Sequence, residues 1–547
     1  MSNILDRISF WSLFIVIVLL PVFFLPFVKI PVETSKGLLL VVGLTISIIF
    51  WTAARFSGGK ITFPKSKILL AGLGVVFAFF LSALFSSASR MSFFGIMFDV
   101  GTFWFVFAAF LLMLFSSIVL RDSKKAKIVL LGTLVSFGVV FIFQLLRIAA
   151  PNTLSLGILG GKTDNIFGTW DALGIFAGFS AIISLFLIEL FSLPKKLKWM
   201  LITIAIFSVV LIAIINFSFV WEMLGVFALI IFIYKISLYS SESHKEDRNK
   251  HFPSFSLGII MISLLFFMTG QFIGGFLPAR LGTSNIEISP SLSTTMKVTK
   301  SALAKDPVFG IGPNRFVEVW ASYRPISIIS TQFWNTSFNS GSGTLPTFAS
   351  TTGSLGIISW LIFFILLITA GVKAFSSGIK NSSNQESIVF FIAAIFLFTA
   401  SFFYTTGTVI FLLAFAFTGI FIGVTSANRE RGEIEISFLD DPRKSFFSIL
   451  FLVLVMIIAA ATGFKFIERF ASVSYFGNAI SAQTIPTAES SIIKAVSLYS
   501  NDLYFRTYAQ VYLVKLNSIV AKGQNISDTD KADIKSSFDQ AISGAQS

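Results

Sequence analysis

The sequence predicts an all-α, polytopic membrane protein with about 13 transmembrane helices. Hydrophobic residues make up 55% of the 547 residues and charged residues only 12%, about half the share that a water-soluble surface needs. The apolar stretches are long and continuous, which is typical of helices that cross ~30 Å of hydrocarbon and not of alternating barrel strands. Much of the surface is therefore expected to face lipid.

Thirteen apolar spans follow one another along the chain. They lie near residues 10–28, 37–54, 67–86, 102–120, 128–148, 169–191, 199–215, 218–236, 255–275, 353–372, 388–404, 407–425 and 446–464. No small-residue cleavage site follows the first span, so it is expected to remain as a signal anchor. Two long polar intervals remain, 276–352 and 465–547.

Basic residues divide unequally between the two sides of this arrangement. Alternate loops, beginning with the N-terminus, hold 22 lysines and arginines, whereas the short loops opposite hold five: Lys29, Lys36, Arg90, Arg147 and Lys162. The positive-inside rule then predicts a cytoplasmic N-terminus, with both long polar intervals and the C-terminus outside. The net charge of +14 thus follows mainly from topology, and nucleic-acid binding is not expected. The chain has no cysteine, which excludes disulfides and thiolate metal sites.

The domain organisation predicted is a membrane domain over 1–465 and an extracytoplasmic helical module over 466–547. In the module, apolar residues recur at helical spacing through 490–520, and Asn501-Asp502 would cap a second helix. A third helix is expected after Ser527-Asp528. The pattern resembles tetratricopeptide-type hairpins, but so few helices would not close a repeat core. We therefore expect a truncated module, or one that packs on the membrane domain or a partner.

Few ionisable residues lie within the spans. Asp171 opens a span from outside, where the helix dipole favours an anion, and Glu189 is close enough to Lys195 or Lys196 to pair. An ionisable group at membrane depth is a candidate functional residue. The Gly160-Gly161-Lys162-Thr163 string lacks the first glycine of a P-loop, since Leu156 stands there, so Lys162 remains only a candidate phosphate contact.

The interval 276–352 contains the most informative motif. The string Asp-Pro-Val-Phe-Gly-Ile-Gly-Pro-Asn-Arg-Phe at 306–316 should end a helix and turn sharply at Gly310, Gly312 and Pro313. Together with Thr-Thr-Gly-Ser-Leu-Gly at 351–356, which includes Gly353, it resembles the O-antigen ligase and polymerase superfamily of bacterial envelope enzymes. The string Phe-Gly-Thr-Trp-Asp-Ala at 167–172 is also similar to a family motif, and the resemblance covers roughly 1–440.

The resemblance implies transfer of a glycan from a polyprenyl-diphosphate donor to a glycan, lipid or protein acceptor, at the outer face of the bacterial cytoplasmic membrane. No metal or cofactor is implied. The departing diphosphate needs fixed cations, and bidentate guanidinium groups suit that need. Candidate diphosphate contacts are Arg280, Arg315, Arg324 and Lys162, with Arg147 behind them. Candidate sugar contacts are Trp334, Asn335 and Asn339, which offer stacking and amide hydrogen bonds.

The acceptor hydroxyl also needs a base, and here the chain departs from the family pattern. Ser342 and Gly343 stand where family ligases have a histidine, and a Ser-Arg motif of the family is Ser218-Phe219 here. His244 and His251 fall in a predicted cytoplasmic loop. Either another base acts, from among Asp164, Asp171, Glu287 and Glu318, or the chain is a polymerase-like relative with a different site, or it has lost transfer activity. The candidate catalytic residues are Asp171 and Ser342.

Two alternatives stay open at this point. A transporter or flippase of lipid-linked saccharide would have broken helices around a cavity at the membrane midplane. A non-catalytic scaffold would have an apolar groove on residues 487–547 for a protein partner.

Overall fold

The computed structural model describes residues 2–26, 30–152, 154, 156, 159–240, 252–380, 385–438, 442–521 and 528–546. Both histidines, His244 and His251, lie outside these ranges. The helices are α1 Ser2–Leu19, α2 Val32–Gly58, α3 Lys67–Leu84, α4 Ser89–Phe94, α5 Phe103–Val119, α6 Ser123–Ala149, α7 Trp170–Leu190, α8 Lys195–Ile215, α9 Ser218–Ser240, α10 Ser254–Thr269, α11 Gln271–Gly274, α12 Phe276–Leu281, α13 Leu292–Lys305, α14 Phe316–Tyr323, α15 Ile326–Ile329, α16 Thr344–Lys380, α17 Gln385–Phe403, α18 Thr408–Ala427, α19 Pro442–Ile480, α20 Ile485–Leu498, α21 Asp502–Val520 and α22 Asp528–Gln546. The strands are β1 Lys60–Pro64 and β2 Glu433–Ser437.

The helices confirm an all-α, multi-pass membrane protein. Eleven of those described are long and apolar enough to cross a membrane, and a twelfth span is formed if α10 is joined to Gln271–Leu281 across a 96° bend. That bend falls at Gly270, whose φ is +50°. The fourth predicted span is α5, which is apolar but only 17 residues long. Each predicted span therefore coincides with a helix, while the number long enough to cross is eleven or twelve rather than thirteen.

The first span differs most from its predicted bounds. α1 begins at Ser2 and ends at Leu19, whereas the hydrophobic pattern continues to residue 28. Pro21 explains the early end, because proline has no N–H to donate and disfavours helical geometry in the residue before it. The carbonyl oxygens of Leu20 and Pro21 accept hydrogen bonds from Lys36 Nζ at 2.8 and 3.4 Å. A cation thus caps the C-terminal end of α1, where the helix dipole favours it.

The centre of the bundle is formed by α7, α17 and α18, which are buried along most of their length. Phenylalanine side chains fill this centre. The centroid of the Phe179 ring lies 6.3 Å from that of Phe396 and 5.4 Å from that of Phe417. By contrast, α16 and α19 are largely exposed on the outside of the bundle, as expected of lipid-facing helices. The abundance of phenylalanine therefore serves both the core and the lipid boundary.

Two short strands are the exception to the all-α prediction. β1 and β2 form an antiparallel ribbon in which Ile61 pairs with Ile436. An ion pair joins Lys60 to Glu435 at 2.6 Å, and Arg121 bonds Glu433 at 2.8 Å. The ribbon links two loops predicted to lie on the same side of the membrane. Sequence periodicity could not pair these strands, because roughly 370 residues separate them.

The C-terminal helices pack in sequence order. α19 runs without a break through the predicted boundary at residue 465, and α20, α21 and α22 follow it. Asn501 is the N-cap of α21 and accepts a hydrogen bond from Leu503 N at 2.9 Å, as predicted. The ring of Phe476 stacks on Tyr504 at 4.5 Å, within a small separate core. α22 matches the predicted third helix, although Ser527 lies outside the described residues.

This module contacts the membrane domain. Arg469 donates to the carbonyl oxygens of Phe94 and Gly95 at 2.8 Å each. The guanidinium groups of Arg469 and Arg90 lie 4.9 and 5.2 Å from the ring of Tyr499. The module therefore packs on the membrane domain, which is one of the alternatives that the sequence predicts.

One predicted ion pair is wrong. Glu189 does not pair with Lys195 or Lys196; its carboxylate lies 3.7 Å from Lys235 Nζ on α9. It also accepts hydrogen bonds from Phe255 N and Ser256 N at the start of α10. The helix dipole of α10 and the buried ammonium of Lys235 together stabilise this carboxylate. Glu189 therefore pairs with residues that the fold brings near it and not with the lysines that follow it in sequence.

Candidate functional site

The two strings that carry the family resemblance contact each other directly. Gly312 N donates to Thr351 O at 2.9 Å, and Ser354 N donates to Pro307 O at 2.9 Å. At the crossing, φ is +66° at Gly310 and +70° at Gly353, so both glycines adopt backbone geometry that L residues rarely reach. A Cβ on Gly353 would lie 2.3 Å from Val308 O. The glycines therefore allow two backbones to touch, and Gly353 kinks α16 there.

Serines at the end of α3 hold this crossing in place. Ser82 Oγ donates to Phe309 O at 2.5 Å and to Thr351 O at 3.1 Å. Nearby, the predicted turn is formed by Pro313 and Asn314, after Gly312 with φ +115°. The crossing is thus built from α3, the 306–316 string and the first part of α16.

Arg315 is built into this framework. It is 7% exposed, and its guanidinium donates to Glu318, to Ser86 Oγ at 2.9 Å, to Ser87 Oγ at 2.8 Å and to Ile311 O at 2.8 Å. Its donors are directed at protein acceptors, and Glu318, one of the possible bases, is its partner. These contacts make Arg315 an organiser of the loop; any contact with a diphosphate would require these bonds to rearrange.

Arg324 and the candidate sugar contacts form a second group. Arg324 Nη1 donates to Trp334 O at 2.6 Å, across the loop that follows α14. Trp334 is 56% exposed, and Asn335 and Asn339 are exposed as well. A shallow cleft of about 540 Å³ lies beside this segment, lined by Ile288, Gln332, Phe333, Thr336, Ser337 and Phe338. The predicted sugar contacts therefore flank a cleft without lining it.

Lys162 contacts the backbone next to Arg280, and these two residues form a third group. Lys162 Nζ donates to the carbonyl oxygen of Leu281 at 2.9 Å, next in sequence to Arg280, which is exposed at the end of α12. Arg147, in contrast, is fully buried and donates to the carbonyl oxygens of the 151–164 loop, including Leu154 O at 2.7 Å. Asp164 accepts from two glycine N–H groups of the same loop. Of the four candidate diphosphate contacts, the structure thus brings Lys162 close to Arg280, while Arg315 and Arg324 lie at opposite ends of α14.

Two carboxyl groups meet a phenol at the start of α7. Asp171 N donates to Glu287 Oε1 at 3.1 Å, so Glu287 sits at the positive end of that helix. The hydroxyl of Tyr404 donates to Glu287 Oε2 and lies 2.7 Å from Thr169 Oγ1. Burial, followed by the negative charge of Glu287, raises the pKa of the Tyr404 phenol, which keeps it protonated and donating. We name Asp171, Glu287, Tyr404 and Thr169 the carboxylate cluster.

The carboxylate cluster has a division of roles. Glu287 is fixed by donors on both oxygens, whereas none of the described residues donates a hydrogen bond to the carboxylate of Asp171. Both acidic side chains are partly exposed, and Ile288, next to Glu287, lines the shallow cleft. Asp171 is therefore free to accept a proton from a bound molecule, and Glu287 with Tyr404 can hold the site in shape.

Ser342 lies one step from this cluster. Its N–H donates to Thr295 Oγ1 at 2.9 Å, and Thr405 Oγ1 donates to the carbonyl of Gly341 at 3.1 Å. Thr405 follows Tyr404 in sequence, so the loop between α17 and α18 contacts Gly341, next to Ser342, and also supplies Tyr404 to the carboxylate cluster. The hydroxyl oxygen of Ser342 is buried and has no hydrogen-bond partner among the described residues.

Three polar residues here were not among the predicted site residues. Tyr404 lies between two apolar spans, and its partner Glu287 is 117 residues away. Glu33 lies against Gly407, since a Cβ there would be 2.1 Å from Glu33 Oε1, and Lys36 Nζ lies 5.9 Å from the centroid of the Phe167 ring. The available signal was an acidic and a basic residue three apart at the start of a span.

This arrangement can remove a proton from a hydroxyl and orient a polar ligand at one end of the bundle. Comparison of the chain with models of known protein families and with curated proteins finds no match. The function therefore has to be argued from the carboxylate cluster itself and from the resemblance described above.

Proposed function

We propose that this protein transfers or polymerises a glycan from a polyprenyl-diphosphate donor, in the manner of O-antigen ligases and polymerases. The reaction would take place at the outer face of the bacterial cytoplasmic membrane, with residues 276–352 outside. The observation that carries the proposal is the carboxylate cluster, in which Asp171 has a free carboxylate and Glu287 and Tyr404 position it.

In this mechanism the acceptor hydroxyl gives its proton to Asp171 as its oxygen forms a bond to the anomeric carbon of the donor sugar. The bond from that carbon to the diphosphate oxygen breaks, and the diphosphate leaves with the electron pair. Lys162 and Arg280 are the candidate cations for that charge, because Lys162 binds the backbone next to Arg280 and Arg280 is exposed. Trp334, Asn335 and Asn339 would contact sugar at the rim of the cleft.

The position of the charged groups favours surface chemistry over transport. Asp171 is in the first turn of α7, and Glu287 comes from the long loop, so the cluster lies at an end of the bundle and not at its midplane. A transporter would need its polar site near the middle of the membrane. The breaks at Gly270 and at Gly353 in α16 are features of the described spans that a transporter would share.

The test is reconstitution of the full-length chain with a polyprenyl-diphosphate oligosaccharide and glycan, lipid and protein acceptors in turn. The Asp171→Asn variant is expected to lose transfer by roughly 10²-fold or more, the usual contribution of a general base. Glu222→Gln is the matched control, since Glu222 is an exposed acid at the start of the neighbouring α9. Equal transfer by Asp171→Asn and wild type would remove the base from the proposal.

A further inference from the structure

A cavity of about 790 Å³ opens between α2, α5 and α19. None of the carboxylate cluster lines it. Its walls are almost entirely apolar and include Leu44, Ile48, Ala108, Leu111, Val455 and Ala459. The volume falls within the range of specific ligand sites, about 300–1,000 Å³.

One end of the cavity carries positive charge. Arg469 and Lys465 line it, with Glu468 as the acidic neighbour of Lys465 at 2.7 Å. Arg90 adds a third cation, because its guanidinium lies beside the ring of Tyr499, which also lines the cavity. Three cations against one carboxylate leave this end positive.

Arg469 has a donor to spare at that end. Its Nη2 donates to the carbonyl oxygens of Phe94 and Gly95, but its Nε is buried and has no hydrogen-bond partner within the described part of the chain. A buried donor without an acceptor is costly, at about 1–3 kcal/mol in general. Protein acceptors therefore match the charge of the Arg469 guanidinium only in part.

The cavity is deep enough to span the hydrocarbon of one leaflet of a bilayer. Fourteen residues of α19 separate Val455 from Arg469, which is about 21 Å along a helix. Half of the hydrocarbon thickness is about 15 Å. With Arg469 at the interface, the apolar walls therefore reach the midplane and extend about 6 Å beyond it. An acyl chain whose phosphate lies at the interface is long enough to extend along these walls.

We propose that this cavity binds an acyl chain of an anionic phospholipid, drawn from the leaflet on the side of residues 276–352. Lys465 and the guanidinium of Arg469, which line the mouth, hold the phosphate. The assignment of the leaflet follows from the loop 85–102, which contacts both Arg469 and the 306–316 string. This site is separate from the proposed glycan transfer and does not depend on it.

The experiment is a lipid titration of the purified full-length chain, followed by native mass spectrometry. Phosphatidylglycerol and phosphatidylcholine with identical chains are compared. We expect wild type to retain phosphatidylglycerol at least roughly tenfold more strongly, equivalent to about 1.4 kcal/mol. Equal retention of the two lipids would overturn the proposal without any variant. Displacement of phosphatidylglycerol by polyprenyl phosphate, but not the reverse, would overturn the choice of a phospholipid.

Adjacent residues of α19 supply the matched pair of variants. Ala459→Phe fills the cavity, whereas Ala460→Phe adds the same ring at an exposed position that does not line it. Retention of phosphatidylglycerol should fall roughly tenfold in the first and stay unchanged in the second. Ala108→Phe, on the opposite wall, repeats the test if Ala459→Phe does not fold. Equal retention in the filled and the control variants would also overturn the proposal.

Discussion

Replacement of Gly353 by alanine should destabilise the protein more than its one added carbon suggests. Its φ of +70° and ψ of −167° lie in a region almost exclusive to glycine, where another residue costs about 1–3 kcal/mol. The new Cβ would also lie 2.3 Å from Val308 O and 2.5 Å from Gly310 N, both backbone atoms that cannot rotate away. The 306–316 string would therefore have to move away from α16.

That movement would break hydrogen bonds between the two strings. Ser354 N to Pro307 O and Leu355 N to Val308 O are the nearest, and each is worth about 1 kcal/mol. With the conformational cost, we expect Gly353→Ala to lower the free energy of unfolding by about 3–5 kcal/mol. The measurement is denaturant unfolding of the detergent-solubilised chain, followed by tryptophan emission.

Gly138→Ala is the control for this variant. Gly138 is within α6, and a Cβ there would have nothing within 4 Å. Alanine should be neutral or stabilise by up to about 1 kcal/mol at that position, because it lowers the entropy lost on folding. Equal unfolding free energies for the two variants would refute the argument that Gly353 is required by backbone contact.

Three further outcomes are expected. The chain has no cysteine, so a single introduced cysteine reports the side of the membrane on which it lies. Ser327→Cys should react with an impermeant maleimide in intact cells, whereas Ser192→Cys should react only after permeabilisation. The reverse pattern would show that the predicted orientation is inverted. Arg315→Lys should destabilise the chain by about 1.5–3 kcal/mol in thermal unfolding, since one ammonium cannot replace the fork that bonds Glu318 and the serines; an unchanged melting temperature would contradict this. Tyr404→Phe should lower transfer while the turnover of a Tyr323→Phe control stays at wild-type level, because only Tyr404 donates to Glu287; equal turnover would exclude a positioning role.

The spans were predictable because lipid imposes a simple rule. In hydrocarbon, an α-helix pairs its backbone N–H and C=O groups within one segment. About 20 consecutive apolar residues are needed for such a helix to cross the membrane, and that run is visible in a sequence. The pattern failed at the end of α1, where Pro21 interrupts a run that is still hydrophobic. The pattern also predicts a full span at α5, but that apolar helix has only 17 residues and is about one turn shorter than most of its neighbours.

The candidate site was predictable only in part. An acid in a span is conspicuous, which makes Asp171 a candidate from the sequence, and Glu287 is among the possible bases. Their meeting with Tyr404 depends on contacts across more than 100 residues, which no local pattern encodes. The predicted cations illustrate the same limit: Arg315 was read as a ligand contact, and its surroundings of Glu318 and serines depend on the fold of α3 against the loop.

The β1–β2 ribbon has a consequence for biogenesis. β1 emerges early in synthesis, but its partner follows roughly 370 residues later. At about 5–20 residues per second, the first strand waits on the order of 20–70 s with its backbone edge unpaired. During that time most of the apolar helices are inserted. Closure of the ribbon therefore comes late, after the spans up to α18 have been synthesised and before α19 to α22 follow.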